Sequence, residues 1–417
     1  MRKTIIALTL ASALASCALV AQTITVWDFK YGEVEGSQVP MKQIDAMFEK
    51  ANPGVKVNHL AQPGEPQYYQ IIQSAATAND GPDVAMFHPG AREYGFDDIL
   101  VDLGPYIKDV KGQFTQASIE MVSIGGKLGA PVKLLPMTMQ GFGIYYNKEY
   151  FKKAGLDPEK APKSPEAFLA ACEKLKAAGI VPVSTGQTYT IDFFLRCAAA
   201  NAYGPNVAGL VDGSQKFSDP AFKEAAAFVK TLVDKGYIEK EGFTRPYFMD
   251  GINKFAAGGG AIFVGLLSDV GNWKIFSDKL GAKNVGYFPA VNFASGKYKD
   301  QQVAQGAGIG YGVMKWSRNQ KLAAAYVKFV TTGEGAKIYA AGTGALSPNT
   351  AAGGSDAAYP VLKVIQGYLK SGLAKDYIPM FYNGYEDDAN RLCDRAFVTG
   401  EISVDAFIDE YQKLITK

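Results

Sequence analysis

Histidine is nearly missing from this chain: His59 and His88 are the only two among 417 residues. A serine or cysteine nucleophile working with an imidazole base would have to recruit one of them. No HxxxH, CxxC or GxSxG spacing occurs to suggest that either is used so. Cysteine is scarce as well. Apart from Cys17, close to the N-terminus, the chain has Cys172, Cys197 and Cys393, an odd set that gives no complete disulfide framework. Each falls in a predicted helix beside Ala or Leu and reads as a buried thiol, not a metal ligand. Net charge is almost absent too, with 43 basic against 41 acidic residues. No basic block is interleaved with aromatics, which argues against a nucleic-acid partner. The triplet Gly258–Gly260 lacks the GxxxxGK[ST] pattern of a phosphate loop, and GAGIG at 306–310 precedes a predicted strand, whereas a dinucleotide fingerprint follows one. No cofactor, metal or catalytic residue is expected.

Long apolar runs are missing beyond the first 21 residues, so no membrane-spanning helix is expected after them. The start itself reads as a secretory leader: Met1-Arg2-Lys3 is basic, residues 5–15 are apolar, and small residues follow. Two processing routes are written there. Leu14-Ala15-Ser16-Cys17 resembles a lipobox, which would make Cys17 a lipid-anchored first residue. Leu19-Val20-Ala21 allows cleavage before Gln22, and this is favoured because a strand beginning by Thr23 leaves almost no tether after Cys17. Residues 1–21 are therefore assigned to the leader, and the product to the periplasm or the cell exterior. Loss of Arg2 and Lys3 with it brings the two signs of charge into balance.

Hydrophobic residues make up 47% of the chain and aromatic residues 12%, within the range of a globular protein large enough for two cores. Strand, helix, strand, helix, strand is predicted over 23–27, 39–51, 55–59, 68–78 and 83–87, the order of a parallel sheet with right-handed crossovers. Ligands of such sheets collect beyond the carboxyl ends of the strands. Here those ends lead into Asp28-Phe29-Lys30-Tyr31 and His88-Pro89-Gly90. The stretch QGFGIYYNKEYFKKAGLD at 140–157 predicts a strand without polar alternation, hence buried on both faces, then a helix ended by Gly155 in a left-handed cap. It marks the passage to a second unit. Helices are expected over 164–179, 191–202, 219–236, 320–332 and three further C-terminal segments. The strand at 261–267 is expected to carry the chain back to the first unit.

Of the two histidines, His88 at a strand's carboxyl end is a candidate ligand contact, whereas His59 reads as a solvent-facing residue without a role. Asp28, Glu33, Glu65, Asp192, Glu386, Asp387 and Asp388 are placed where two of them could serve a glycosidase, although a solvated surface acid is the ordinary reading of each. With 23 Tyr, 24 Phe and 3 Trp the chain is well supplied with flat apolar faces of the kind that sugar rings stack on, most of them needed for the cores.

Six segments in order carry a resemblance: ITVWDF at 24–29, ANPGVKV at 51–57, ANDGPDVAMF at 78–87, IYYNKEYFKKAGLD at 144–157, KSPEAFLAACEKLKAAGIVPV at 163–183 and GIGYGVMKWSRNQKLAAAYVKFV at 308–330. Together they resemble the extracellular solute-binding proteins of ABC sugar importers, the maltose-binding-like family 1. The resemblance implies an α/β, two-lobed periplasmic-binding-protein fold of type II with a ligand cleft between the lobes. Its three hinge crossings are expected near 135–142, 262–265 and 310–314. The first lobe would comprise 22–138 and 264–312, and the second 139–263 and 313–417. It implies capture of a mono- or oligosaccharide by a monomer that then docks on a membrane permease. The contacts it implies are Lys30, Tyr31, Glu65, His88, Arg92, Gln140, Gln187, Tyr189, Asp192, Gln305, Tyr385, Glu386 and Asp387, with Glu33 less firmly placed. Where many members have Gly-x-Trp, this chain has Gly265-Leu266-Leu267-Ser268, and Trp273 is the candidate replacement. A polyamine, oligopeptide or metal cargo and a secreted glycoside-active enzyme are the alternatives.

Overall fold

A computed structural model of the chain describes residues 22–31, 37–64, 67–90, 95–184, 189–205, 207, 209–238, 248–266, 271–299, 305–352, 359–369 and 385–416. Strand β1 (Gln22–Asp28) starts the first sheet, and its TITVW core is β-branched and aromatic, as a buried strand favours. Helix α1 (Gln38–Ala51) returns the chain by burying Pro40, Met41, Ile44, Asp45 and Phe48 along one stripe. Strand β2 (Val55–Ala61) then pairs in parallel with β1, from Gln22 opposite Val55 to Asp28 opposite Ala61. Helix α2 (Gln67–Ala78) leads to β3 (Val84–Phe87), parallel to the other side of β1. This is the predicted βαβαβ order. Short turns and helix α3 (Gln116–Met121) lead on to β4 (Leu135–Pro136).

The second sheet is built on β5 (Met139–Asn147), where every residue except Gln140 is buried. Asn147 accepts the amides of Glu149 and Tyr150 and so caps α4 (Lys148–Lys153), and Gly155 at φ 69° takes the left-handed position expected of it. Ser164 caps α5 (Pro165–Ala177), with Pro165 at the first helical position, where its missing amide costs nothing. Then come β6 (Val183–Ser184), α6 (Tyr189–Tyr203), α7 (Gly209–Asp212), α8 (Pro220–Asp234), α9 (Phe248–Ala256), β7 (Ile262–Leu266), α10 (Asn272–Leu280) and β8 (Val285–Phe288). The sheet runs β6-β7-β5-β8. Strand β5 is buried on both faces as expected, but β7 and β8 flank it antiparallel.

Strand β9 (Gln305–Ala307) pairs with the start of β5, and β10 (Gly310–Val313) enters the first sheet between β3 and β4, completing the order β2-β1-β3-β10-β4. Helices α11 (Gln320–Thr331) and α12 (Gly333–Thr343) pack on this first sheet. Helices α13 (Pro360–Leu369), α14 (Tyr385–Cys393) and α15 (Val404–Ile415) pack on the second. The expected division is corrected in two places. Of residues 264–312 only the end, with β10, belongs with the first lobe, because β7, α10 and β8 share the sheet and core of β5. Residues 313–417 do not all belong with the second, because Ala323, Tyr326, Val327, Val330 and Tyr339 lie in the core of the first sheet.

The crossings move accordingly. The first runs between Pro136 and Met139, inside the expected stretch. The second is at 308–309, just before the expected 310–314. The expected crossing at 262–265 is an interior strand. The third stretch touches the joint at Ala345–Leu346, with Ala345 in the first core and Leu346 among residues of the second lobe, before Asn349 bonds back to Gln113 and Thr331 of the first. All three meet. Gly308 donates its amide to Thr138 O at 2.8 Å, Met137 to Ile309 O at 2.8 Å, and Met139 to Leu346 O at 2.7 Å. The Ile309 amide is taken by the fully buried Thr138 hydroxyl at 3.0 Å. Thr138→Val keeps the shape but leaves that amide without its acceptor. A loss of about 1–3 kcal/mol is expected, read as a lower urea midpoint at unchanged m-value. An unchanged midpoint would show that the Thr138 hydroxyl contributes nothing.

Candidate ligand site at the lobe junction

Because β1 and β3 are parallel, their carboxyl ends open on the same edge of the sheet, and that edge abuts the crossings. Beyond β1, the Phe29 ring lies 5.2 Å from the Tyr68 ring and 5.3 Å from the His88 ring. The Lys30 ammonium stands 5.7 Å over the Phe29 face. Beyond β3, His88 donates its amide to the Tyr69 hydroxyl at 3.0 Å, and its Nδ1 lies 2.7 Å from Gly308 O. A carbonyl only accepts, so Nδ1 carries the proton in that contact. On the facing strand Gln140 is half-buried and sits opposite Gly306, two residues from the His88 contact. The described part of the junction thus presents an ammonium, an imidazole, an amide and an aromatic plane. Such a set can hydrogen-bond hydroxyls and cover an apolar ring face.

Lys30, His88 and Gln140 are the expected contacts that the structure brings to this junction. Three others it places elsewhere. Tyr31 is buried, its ring stacked on His59 with centroids 4.0 Å apart and planes 9° from parallel. Asp192 is buried, and its carboxylate accepts the Tyr411 hydroxyl of α15 at 3.0 Å, inside the second lobe. Trp273 stacks on no open face: it is 6% exposed, meets Tyr359 edge-on at 5.1 Å, and donates its indole N–H to Gly344 O at 2.7 Å. It braces the third crossing. Asp387 lies exposed in α14. Glu33, Glu65, Arg92 and Gln187 lie outside the described residues, as do the side chains of Tyr189, Gln305, Tyr385 and Glu386. Of these last four the backbone positions are the first residues of α6 and β9 and the start of α14. Among the described residues no group of three or more His, Cys, Asp or Glu is arranged to hold a metal.

His59, expected to face solvent, is the largest reversal. Its side chain is 2% exposed, with Nδ1 3.0 Å from Asp45 and Nε2 3.2 Å from Asp28. The Tyr311 hydroxyl donates to Asp28 and the Tyr326 hydroxyl to Asp45, each at 2.5 Å. The second oxygen of Asp28 takes the Lys30 amide at 2.5 Å. The sequence did hold one sign of this cluster: Asp45 sits on the apolar stripe of α1 between Ile44 and Phe48, where a carboxylate needs a buried partner. Phe29 and Gly308 also escaped the sequence reading.

Burial alone would lower the His59 pKa, but hydrogen bonds and charge from Asp28 and Asp45 outweigh it and raise it to about 9. Burial, with the nearby Asp45 and Asp28 charges, raises Tyr31. A histidine held above its unfolded value of about 6.5 stabilises the fold fully below that pH and loses the contribution as pH rises through its folded value. Urea unfolding from pH 6 to 10 should therefore show a fall in stability on the order of 3 kcal/mol that His59→Gln lacks. Equal slopes for the two proteins would place the His59 proton outside the folding equilibrium.

Residues 32–337 match the family described as bacterial extracellular solute-binding protein. A "multiple sugar-binding protein" of Streptococcus mutans is 24% identical over 315 residues, covering 72% of this chain and 69% of that protein. An "sn-glycerol-3-phosphate-binding periplasmic protein" of Salmonella typhimurium is 27% identical over 198 residues. That match covers 43% of this chain and 41% of the relative, so it spans less than half of either. Among solved structures, a "chitin oligosaccharide binding protein" superposes with a TM-score of 0.78 at 20% identity, covering 95% of this chain and 98% of that one. A raffinose complex of a solute-binding protein gives 0.73 at 20% identity, over 94% and 98%.

Proposed function

The chain belongs to the bacterial extracellular solute-binding protein family, and we propose that it is the capture component of an ABC importer for a carbohydrate. In this reading a mono- or oligosaccharide binds between the lobes, and the protein carries it as a monomer, unaltered, to a membrane permease. The observation that supports it most is the convergence of the β1 and β3 ends on the crossings, where His88 reaches Gly308. A ligand held there touches one lobe and the joint at once. It would favour the closed arrangement by the difference in its contacts between the two states. Lys30, His88 and Gln140 are the proposed described contacts. Glu65, Arg92, Gln187, Tyr189, Gln305, Tyr385, Glu386 and Asp387 are proposed around them. The sugar-binding names among the relatives support a carbohydrate, and the glycerol-3-phosphate relative makes a phosphorylated polyol the reading to test against it.

Purified protein lacking residues 1–21 should be screened by thermal shift against maltose, raffinose, chitobiose and monosaccharides, with glycerol 3-phosphate, spermidine and ferric citrate as controls. A ligand at a hundred times its Kd stabilises by about 2.7 kcal/mol, which raises Tm by a measurable few degrees. A shift with one sugar, recovered intact by chromatography, is expected. Lys30→Ala and His88→Ala should each weaken that sugar by about tenfold or more, the scale of one lost hydrogen bond to a charged group. A shift with a control alone would replace the cargo, and a consumed sugar would replace binding by catalysis.

A further inference from the structure

The buried cluster around His59 is joined to the ligand-facing turn by two contacts that nothing in the sugar-capture reading requires. The Lys30 amide is held by Asp28, and the Tyr31 ring rests flat on the His59 ring. Asp28 is fully buried, and its other oxygen is shared by His59 and Tyr311. The position of Lys30 relative to β1 is thus set from beneath by groups that themselves touch no cleft. We propose that His59, held as the imidazolium between Asp28 and Asp45, is a positioning residue for the turn 29–31, and that ligand affinity falls when it loses its proton. This rests on the reading that Lys30 contacts the ligand.

An imidazolium donates from both nitrogens, and this site asks for both: Asp28 and Asp45 lie on opposite sides of the ring. Neutral imidazole has one donor and one lone pair. Where the remaining proton stays on Nδ1 toward Asp45, Nε2 toward Asp28 has lost its own. Asp28 is then left facing a lone pair. The carboxylate that holds the Lys30 amide must shift away from the ring, and the floor under Tyr31 shifts with it. The groups facing His59 come from every side: Asp28 and Tyr31 from β1 and its turn, Asp45 from α1, Tyr311 from β10 and Tyr326 from α11. Tyr68 of α2 approaches Asp28, and Tyr339 of α12 approaches Tyr311. The tyrosines are held neutral by burial, so the cluster's own change of charge in mildly alkaline solution is that of the histidine.

With two histidines in the chain, their ring Cε1–H signals can be followed directly by NMR, and the signal lost in His59→Gln is that of His59. Binding and release of a proton are linked to binding of ligand by the same factor in both directions. The His59 titration midpoint should therefore rise by about one unit when the sugar found in the thermal-shift screen saturates the protein. In step, the affinity for that sugar should fall about tenfold as pH rises through the midpoint. His59→Gln should bind more weakly at pH 7 and show no fall. Asp45→Asn, which removes no hydrogen bond to Lys30 or Tyr31, should lower the midpoint and carry the loss of affinity to lower pH with it. A strut of purely structural kind would lower Tm in both variants and leave the pH profile of affinity where it was. An identical midpoint with and without sugar would overturn the proposal. If none of maltose, raffinose, chitobiose or the monosaccharides binds, the sugar reading fails, and the unliganded protein still decides the positioning role. There the Lys30 and Tyr31 amide signals move with the His59 midpoint if it holds them, and their failure to move refutes it.

Discussion

Two sheets that each carry their own core can be joined only by backbone that passes between those cores, and every buried amide and carbonyl in that passage needs a partner. The three crossings of this protein supply one another. Thr138 takes the amides of Gly308 and Ile309 with its carbonyl and its hydroxyl, Ile309 takes that of Met137, and Leu346 takes that of Met139. No crossing is satisfied alone. Trp273 adds a side-chain bond from the second lobe to Gly344, and Gly271 packs so closely there that a Cβ would lie 2.7 Å from the Gly344 backbone. The joint is a short patch of hydrogen-bonded strand between two separately packed cores.

The position of the candidate site follows from that joint. Parallel pairing sends the ends of β1 and β3 to one edge, and the antiparallel insertion of β10 beside β3 brings the second crossing to the same edge. His88 needs only its ring to bridge the gap to Gly308. A solute bound here would touch the backbone of the joint directly, without a relay of side chains.

Below the turn, the cluster of Asp28, Asp45, His59, Tyr311 and Tyr326 is an expensive way to build a core. Burying two carboxylates and an imidazolium costs several kcal/mol for each charge, and apolar residues of the same volume would do as well or better for stability alone. What the charges add is geometry: each oxygen of Asp28 has an assigned donor, and so the start of the turn has one position.

Much was legible in the sequence because it is local. The helix over 219–236, the left-handed Gly155 and the βαβαβ order all depend on neighbours within a few positions or on short connections. So was the family, carried by six segments in order, and with it the two-lobed fold. What the sequence could not contain is which distant surface each element meets. The strand 262–266 and the helix 320–331 read identically whichever sheet they join, and only the pairing of β7 with β5 and the packing of Tyr326 under β10 assign them. The same limit governs single residues. Trp273, Asp192 and Tyr31 have the chemistry of ligand contacts and are spent on Gly344, Tyr411 and His59, while His59 looks idle until Asp28 and Asp45 are brought to either side of it. Local propensity fixes an element's type because its energetics lie within a turn or two of chain. A side chain's role is fixed by partners up to 283 positions away, as Tyr311 is from Asp28, and only the folded arrangement chooses those.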